Sequence, residues 1–236
     1  MTLQIDRHPR ETLDRLLGVL AAYPAVKCVH IGGSLARGED DAYSDLDLWV
    51  EGEKWNPECL GGQFLVATKS EIAGMPFIHG VAVGGTIIDL IHSAPKWEGC
   101  ARLDLPAPTP MPPAPLPGCG LVDEFWALSL KHRKNFMRGY EKLVPFGLDF
   151  DRRLLFRAWA MSETGSDPGP NAFNLFTLKA LHDAVLNPRR MALLGMPLRT
   201  REEILAAVEA YREEMTRLYP VPSALELTVR ALGLAN

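Results

Sequence analysis

Seven prolines fall within the fourteen residues Leu105–Gly118 (LPAPTPMPPAPLPG), and they set the strongest limit on how this 236-residue chain folds. Each proline ring fixes φ and removes a backbone donor, so the stretch favours extended polyproline geometry and excludes a helix or an inner strand. The two flanks must therefore build separate sets of elements. Before the prolines, apolar runs and alternation predict a helix over about 9–23 and strands near 26–32, 45–51, 63–68, 76–83 and 86–92. After them, helical spacing predicts helices over about 121–140, 148–163, 171–186, 200–218 and 223–234. Thr200 with Glu203 and Ser223 with Glu226 have the spacing of capping boxes for the last two. The expectation is an α+β chain with a mixed-sheet domain over 1–104, a Pro-rich linker over 105–118 and a helical domain over 119–236. The proline stretch is either a plain linker or a motif that recruits a partner.

Hydrophobic residues make up 47% of the chain, enough to bury a core in each part. No apolar run reaches the roughly 18 residues of a membrane span, and the polar, helix-like N-terminus lacks a signal peptide's apolar core. Cysteines 28, 59, 100 and 119 form no C-x-x-C pair, so neither a zinc site nor a disulfide framework is suggested, which fits a reducing cytoplasm. A net charge of −4 argues against a general nucleic-acid binder. That charge is unevenly placed. Residues 1–105 carry 9 basic and 15 acidic side chains, whereas residues 119–236 carry 16 and 14. Between Lys131 and Arg157 eight basic residues stand against three acidic ones. Two readings are open for them: a solvated helix face, or a surface whose Lys131, Lys134, Arg138 or Lys142 reaches a nucleotide's phosphates.

The chemistry concentrates in IGGSLARGEDDAYSDLDLWV. Here Gly33-Ser34 is followed, after ten residues, by Asp45-Leu46-Asp47. Gly32-Gly33 ends an apolar strand in a turn that lets backbone approach a ligand closely, and Ser34 opens a short helix-compatible stretch. Asp45 and Asp47 alternate to one face of the next strand, about 7 Å apart. Further on, Asp89 is the only charge in the apolar run VAVGGTIIDLIH. Either it is the polar position of an edge strand or it joins the other two as a third metal ligand. Three such carboxylates repel one another, so their clustering is explained by a cation.

These residues resemble the nucleotidyltransferase superfamily that includes the polymerase-beta-like enzymes, closest to its small aminoglycoside- and lincosamide-modifying branch. The specific match spans about Val26 to Val50, with Asp89 suiting the third carboxylate. The resemblance implies that Gly33 and Ser34 hold a nucleotide triphosphate, with Arg37 on its γ-phosphate or merely on the helix surface. It implies that Asp45, Asp47 and Asp89 bind two Mg²⁺ ions; the basic surface described above, not the resemblance, puts Lys131 and Lys134 forward for the phosphates. A base for the acceptor hydroxyl is expected in Glu124, Asp123 or Asp89; the first two also suit an acidic helix N-terminus. The function expected is cytoplasmic, Mg²⁺-dependent transfer of a nucleoside monophosphate, AMP from ATP foremost, to a small-molecule hydroxyl such as that of an antibiotic. Alternatives are a toxin–antitoxin type nucleotidyltransferase that modifies a protein, and a non-catalytic nucleotide-binding regulator. Five of the six histidines (His30, His79, His92, His132, His182) show no metal-ligand spacing and are expected to be structural or exposed.

Overall fold

The computed structural model describes residues 9–41, 44–53, 56–72, 74–96, 98–112, 114–172 and 174–231. The reading of the first eight residues, and the end of the last helix at 232–234, lie outside the described residues. The chain divides into two compact units, residues 1–119 and 120–236. Among the described residues no helix is long and apolar enough to cross a membrane.

The first unit runs α1 (Pro9–Ala21), β1 (Val26–Ile31), α2 (Gly33–Arg37), β2 (Leu46–Gly52), β3 (Phe64–Ile72), β4 (Met75–Ala82), β5 (Ile87–Ile91) and β6 (Ala101–Leu103). Its six strands form one mixed sheet in the order β3-β4-β5-β2-β1-β6. Among the described residues only β2 and β5 pair in parallel, which requires the chain to leave β2, form the β3–β4 hairpin and return beside it. Alternation gives the sheet two unlike faces. Val29, Ile31, Leu46, Leu48, Val50, Ile88 and Leu90 point to one face and pack with Leu13, Leu16, Leu17 and Leu20 of α1 into the main core. Asp47, Trp49 and Glu51 point to the other, where Trp49, Met75 and Ile91 form a small apolar cluster.

β6 was not predicted, because three residues give no measurable alternation. Among its described residues the proline stretch has no regular secondary structure, yet it is more than a tether. Leu105, Met111 and Leu116 pack against the core of the first unit, and the Thr109 N–H donates to the Gly18 carbonyl at 2.8 Å. Gly61 permits this close course: a Cβ there would meet the Ala114 carbonyl oxygen at 1.9 Å.

The second unit is helical: α3 (Leu121–Met137), α4 (Val144–Thr164), α5 (Leu175–Val185), α6 (Pro188–Leu194), α7 (Arg201–Leu218) and α8 (Ser223–Ala231). Trp126, Trp159, Phe125, Phe156 and Tyr211 fill its core. Helix α4 starts four residues earlier than predicted, with Pro145 in its first turn, where a missing N–H costs nothing. Helix α6 was missed altogether, although Asn187-Pro188 supplies an N-cap followed by proline. Helix α7 begins with the predicted capping box, Thr200 and Glu203 each accepting the other's backbone N–H at 3.2 Å. The Glu214 carboxylate is buried, which raises its pKa; donors from Arg217 and Trp159, with Arg189 nearby, overcome this and hold it at about 2. In the same unit His132 meets the buried Asp151 across 2.7 Å.

Candidate active site

The end of β1, α2, β2 and β5 supply the site. After Ile31 the backbone turns at Gly32, whose N–H donates to the Asp47 carbonyl at 2.9 Å and so ties the turn to the second strand. Gly33 then takes φ +64°, a left-handed conformation that side chains resist. A Cβ on Gly33 would stand 2.3 Å from Asp47 Oδ2, so the turn touches that carboxylate only because it is glycine. Gly33 and Ser34 open α2, and Gly38 closes the helix in the left-handed conformation.

Asp47 and Asp89 are register partners on the parallel strands β2 and β5 and therefore share a face. Asp45 immediately precedes β2. One ligand oxygen from each of Asp45, Asp47 and Asp89 lies within 4.8 Å of the others, and all three side chains are partly exposed. At that spacing each pair of charges repels by about 3 kcal/mol at an effective dielectric near 20, and by less where water screens it. An all-oxygen donor set with three negative charges, open to solvent beside a glycine turn, fits a hard divalent cation such as Mg²⁺.

Three neighbours escaped the sequence reading. His79 stands opposite Asp89 across β4–β5, with Nδ1 2.5 Å from Oδ1. An ionised carboxylate only accepts, so the imidazole is the donor and fixes how Asp89 points. His79 is structural, as expected, and the structure adds that it serves a candidate ligand. The turn Gly84-Gly85 centres the hairpin that brings residue 79 opposite 89, so the signal was present in the sequence. Ser44 is the second neighbour. The Ser34 hydroxyl donates to Ser44 Oγ at 3.0 Å, and Ser44 Oγ accepts the Asp41 N–H at 3.0 Å, linking the glycine–serine turn to the entry of β2. Cys100 is the third; burial, and then the Asp47 charge, push its thiol pKa up, so it stays protonated at neutral pH.

Arg37 donates to Glu39 at 2.6 Å on the exposed side of α2. Asp40 of the acidic turn accepts from Arg10. Lys131 and Lys134 sit partly buried on α3 of the second unit. In that helix's first turn Asp123 accepts the Gly120 N–H at 2.8 Å, the capping role, while Glu124 lies 3.9 Å from Arg157.

No curated protein matches this chain. Among solved structures it is similar to an aminoglycoside 6-adenyltransferase from Bacillus subtilis, at 12% identity and a TM-score of 0.34, over 96% of this chain and 97% of that one. Residues 13–95 match the family model of the nucleotidyltransferase domain. The glycine–serine turn and all three carboxylates lie inside that match. Residues 13–95 are a nucleotidyltransferase domain.

Proposed function

We propose that this protein moves a nucleoside monophosphate, AMP from ATP, onto a hydroxyl of a small molecule, and that it requires Mg²⁺. The observation that carries the reading is the clustering of Asp45, Asp47 and Asp89 beside the Gly32-Gly33 turn. Those carboxylates are the residues that would hold Mg²⁺, which when bound neutralises phosphate charge and makes a hydroxyl easier to deprotonate. The protein's own groups do the rest. Backbone at Gly33 and Ser34 approaches the triphosphate where no side chain intervenes, and the Ser34–Ser44 bond keeps that turn in place. His79 holds Asp89 in one orientation by donating to Oδ1. In the second unit we assign phosphate binding to Lys131 and Lys134 and proton acceptance to Glu124, since Asp123 is occupied as a helix cap.

The acceptor oxygen attacks the α-phosphorus in line, the bond to the bridging oxygen breaks, pyrophosphate leaves with that electron pair, and the hydroxyl proton passes to a carboxylate. A polyhydroxylated acceptor, an aminoglycoside or lincosamide above all, is the substrate class the motif's resemblance favours. The test incubates the full-length protein with Mg²⁺, each of the four ribonucleotide triphosphates and a panel of hydroxylated antibiotics, and measures pyrophosphate together with acceptor mass. Release of pyrophosphate coupled to a nucleotidylated acceptor, lost in Asp47→Asn, is the expected result. A panel in which no nucleotide is consumed and none shifts the melting temperature would overturn the reading. Lys134→Ala should raise KM for the nucleotide more than it lowers kcat.

A further inference from the structure

A second donor set stands on the same face of the sheet as the carboxylates, further along β2. Cys28 and His30 lie two residues apart on β1 and so point the same way, and Glu51 on β2 is the direct partner of Cys28. A bulge between Val26 and Cys28 makes this pairing. Without the extra residue Cys28 would oppose Val50 and turn into the core; with it, Cys28 and His30 join Glu51 and Trp49 on the other face.

The donor atoms converge. Cys28 Sγ is 3.9 Å from His30 Nδ1 and 3.8 Å from Nε2, and His30 Nδ1 is 3.3 Å from Glu51 Oε1. One donor atom from each residue lies within 4.8 Å of the other two. In a tetrahedral site with metal–sulfur bonds of about 2.3 Å and metal–nitrogen or –oxygen bonds of about 2.0 Å, neighbouring donors are roughly 3.3–3.5 Å apart. Small side-chain rotations therefore suffice to close the set. Burial is graded in the useful direction: Cys28 is 8% exposed, the His30 side chain 16% and the Glu51 side chain 35%. The thiol end is dry, and the carboxylate end leaves room for a water as fourth ligand. An ion pair between His30 and Glu51 would explain two of the three side chains; the thiol, also 3.9 Å from the Val29 carbonyl oxygen, lies beside the imidazole as the third.

We propose that Cys28, His30 and Glu51 form a three-ligand site for a zinc-class divalent cation that ties β1 to β2. Thiolate and imidazole together select a borderline-soft ion and disfavour Mg²⁺ and Ca²⁺. The site is distinct from the carboxylate cluster. Asp47 and Glu51 are four residues apart, about 13 Å along the strand, with Trp49 between them on the same face. Sequence spacing hid it because its ligands come from two strands and the register is set by the bulge.

The experiment titrates chelator-stripped, reduced, full-length protein with cobalt(II) chloride and reads absorption. A thiolate-to-cobalt charge-transfer band in the near ultraviolet, saturating at about one equivalent, is expected. Zinc chloride should bleach it and magnesium chloride should not. Cobalt at Asp45, Asp47 and Asp89 produces no such band, because those ligands contain no sulfur. Cys28→Ser should abolish the band. Glu51→Gln, a change on a half-exposed side chain that spares the core, should weaken cobalt affinity by at least the about 10-fold that loss of a merely supporting partner costs. A wild type without the band, or a band that survives in Cys28→Ser, overturns the proposal.

Discussion

Replacing Asp47 by Asn should stabilise the protein without metal and disable it with metal, and that reversal tests the reading of the carboxylate cluster. The change keeps the side chain's shape and removes one charge, so two repulsive pairs vanish, one with Asp45 and one with Asp89. With donor oxygens within 4.8 Å, each pair costs about 3 kcal/mol at a dielectric near 20 and about 1 kcal/mol in bulk water. All three side chains are partly exposed, so screening favours the lower figure and a total of about 1–2 kcal/mol. For a chain of this size that corresponds to a rise in Tm of roughly 2–8 °C in buffer containing EDTA. Mg²⁺ should reverse the order. Saturation at 100 times Kd adds about 2.7 kcal/mol to the wild type, and little to a variant that has lost a charged ligand. Both proteins are melted with chelator and with millimolar Mg²⁺, followed by calorimetry. A variant that melts below the wild type in EDTA, together with a wild type indifferent to Mg²⁺, would refute the argument. The carboxylates would then be held by internal hydrogen bonds and not poised for a cation.

Gly33→Ala forces a side chain into a left-handed conformation at a cost of about 1–2 kcal/mol and drives Cβ toward Asp47 Oδ2. Melting should fall by a few degrees while nucleotidyl transfer drops by about 100-fold; unchanged turnover would show that the turn does not shape the site. His79→Ala removes the donor to Asp89, and the Mg²⁺ concentration for half-maximal activity should rise about 10-fold or more, measured as a metal titration of turnover. Equal requirements in both proteins would reduce His79 to packing. Glu214 provides a pH prediction for the second unit. Its folded pKa of about 2 lies below the ordinary value of 4.5, so its contribution, on the order of 3 kcal/mol, is complete above about pH 4.5 and is lost as pH falls toward 2. Tm plotted against pH should fall steeply through that window in the wild type and be flatter in Glu214→Gln; parallel curves would remove Glu214 from acid sensitivity.

What the sequence determined by itself is local. The glycine–serine turn, the alternation of Asp45 and Asp47, the leucine stripe of α1 and the capping box of α7 each depend on residues within one element, where period and backbone preference suffice. The prolines likewise exclude regular structure from 105–118 whatever surrounds them. Tertiary structure decided everything that needed two strands at once. Asp89 meets Asp47 because β5 returns to lie parallel beside β2, a long-range pairing that no local pattern encodes. Its partner His79 is the exception, signalled locally by the Gly84-Gly85 turn of the β4–β5 hairpin, whereas Cys28, His30 and Glu51 converge only because one bulged residue shifts the β1–β2 register. The course of the proline segment depends on Gly18 and Gly61, more than forty residues before the segments they touch: the absence of a Cβ makes room for the Thr109 side chain at Gly18 and for the Ala114–Pro115 backbone at Gly61. Side-chain period is a property of a strand; register and strand order are properties of the whole sheet, and it is these that place the chemistry.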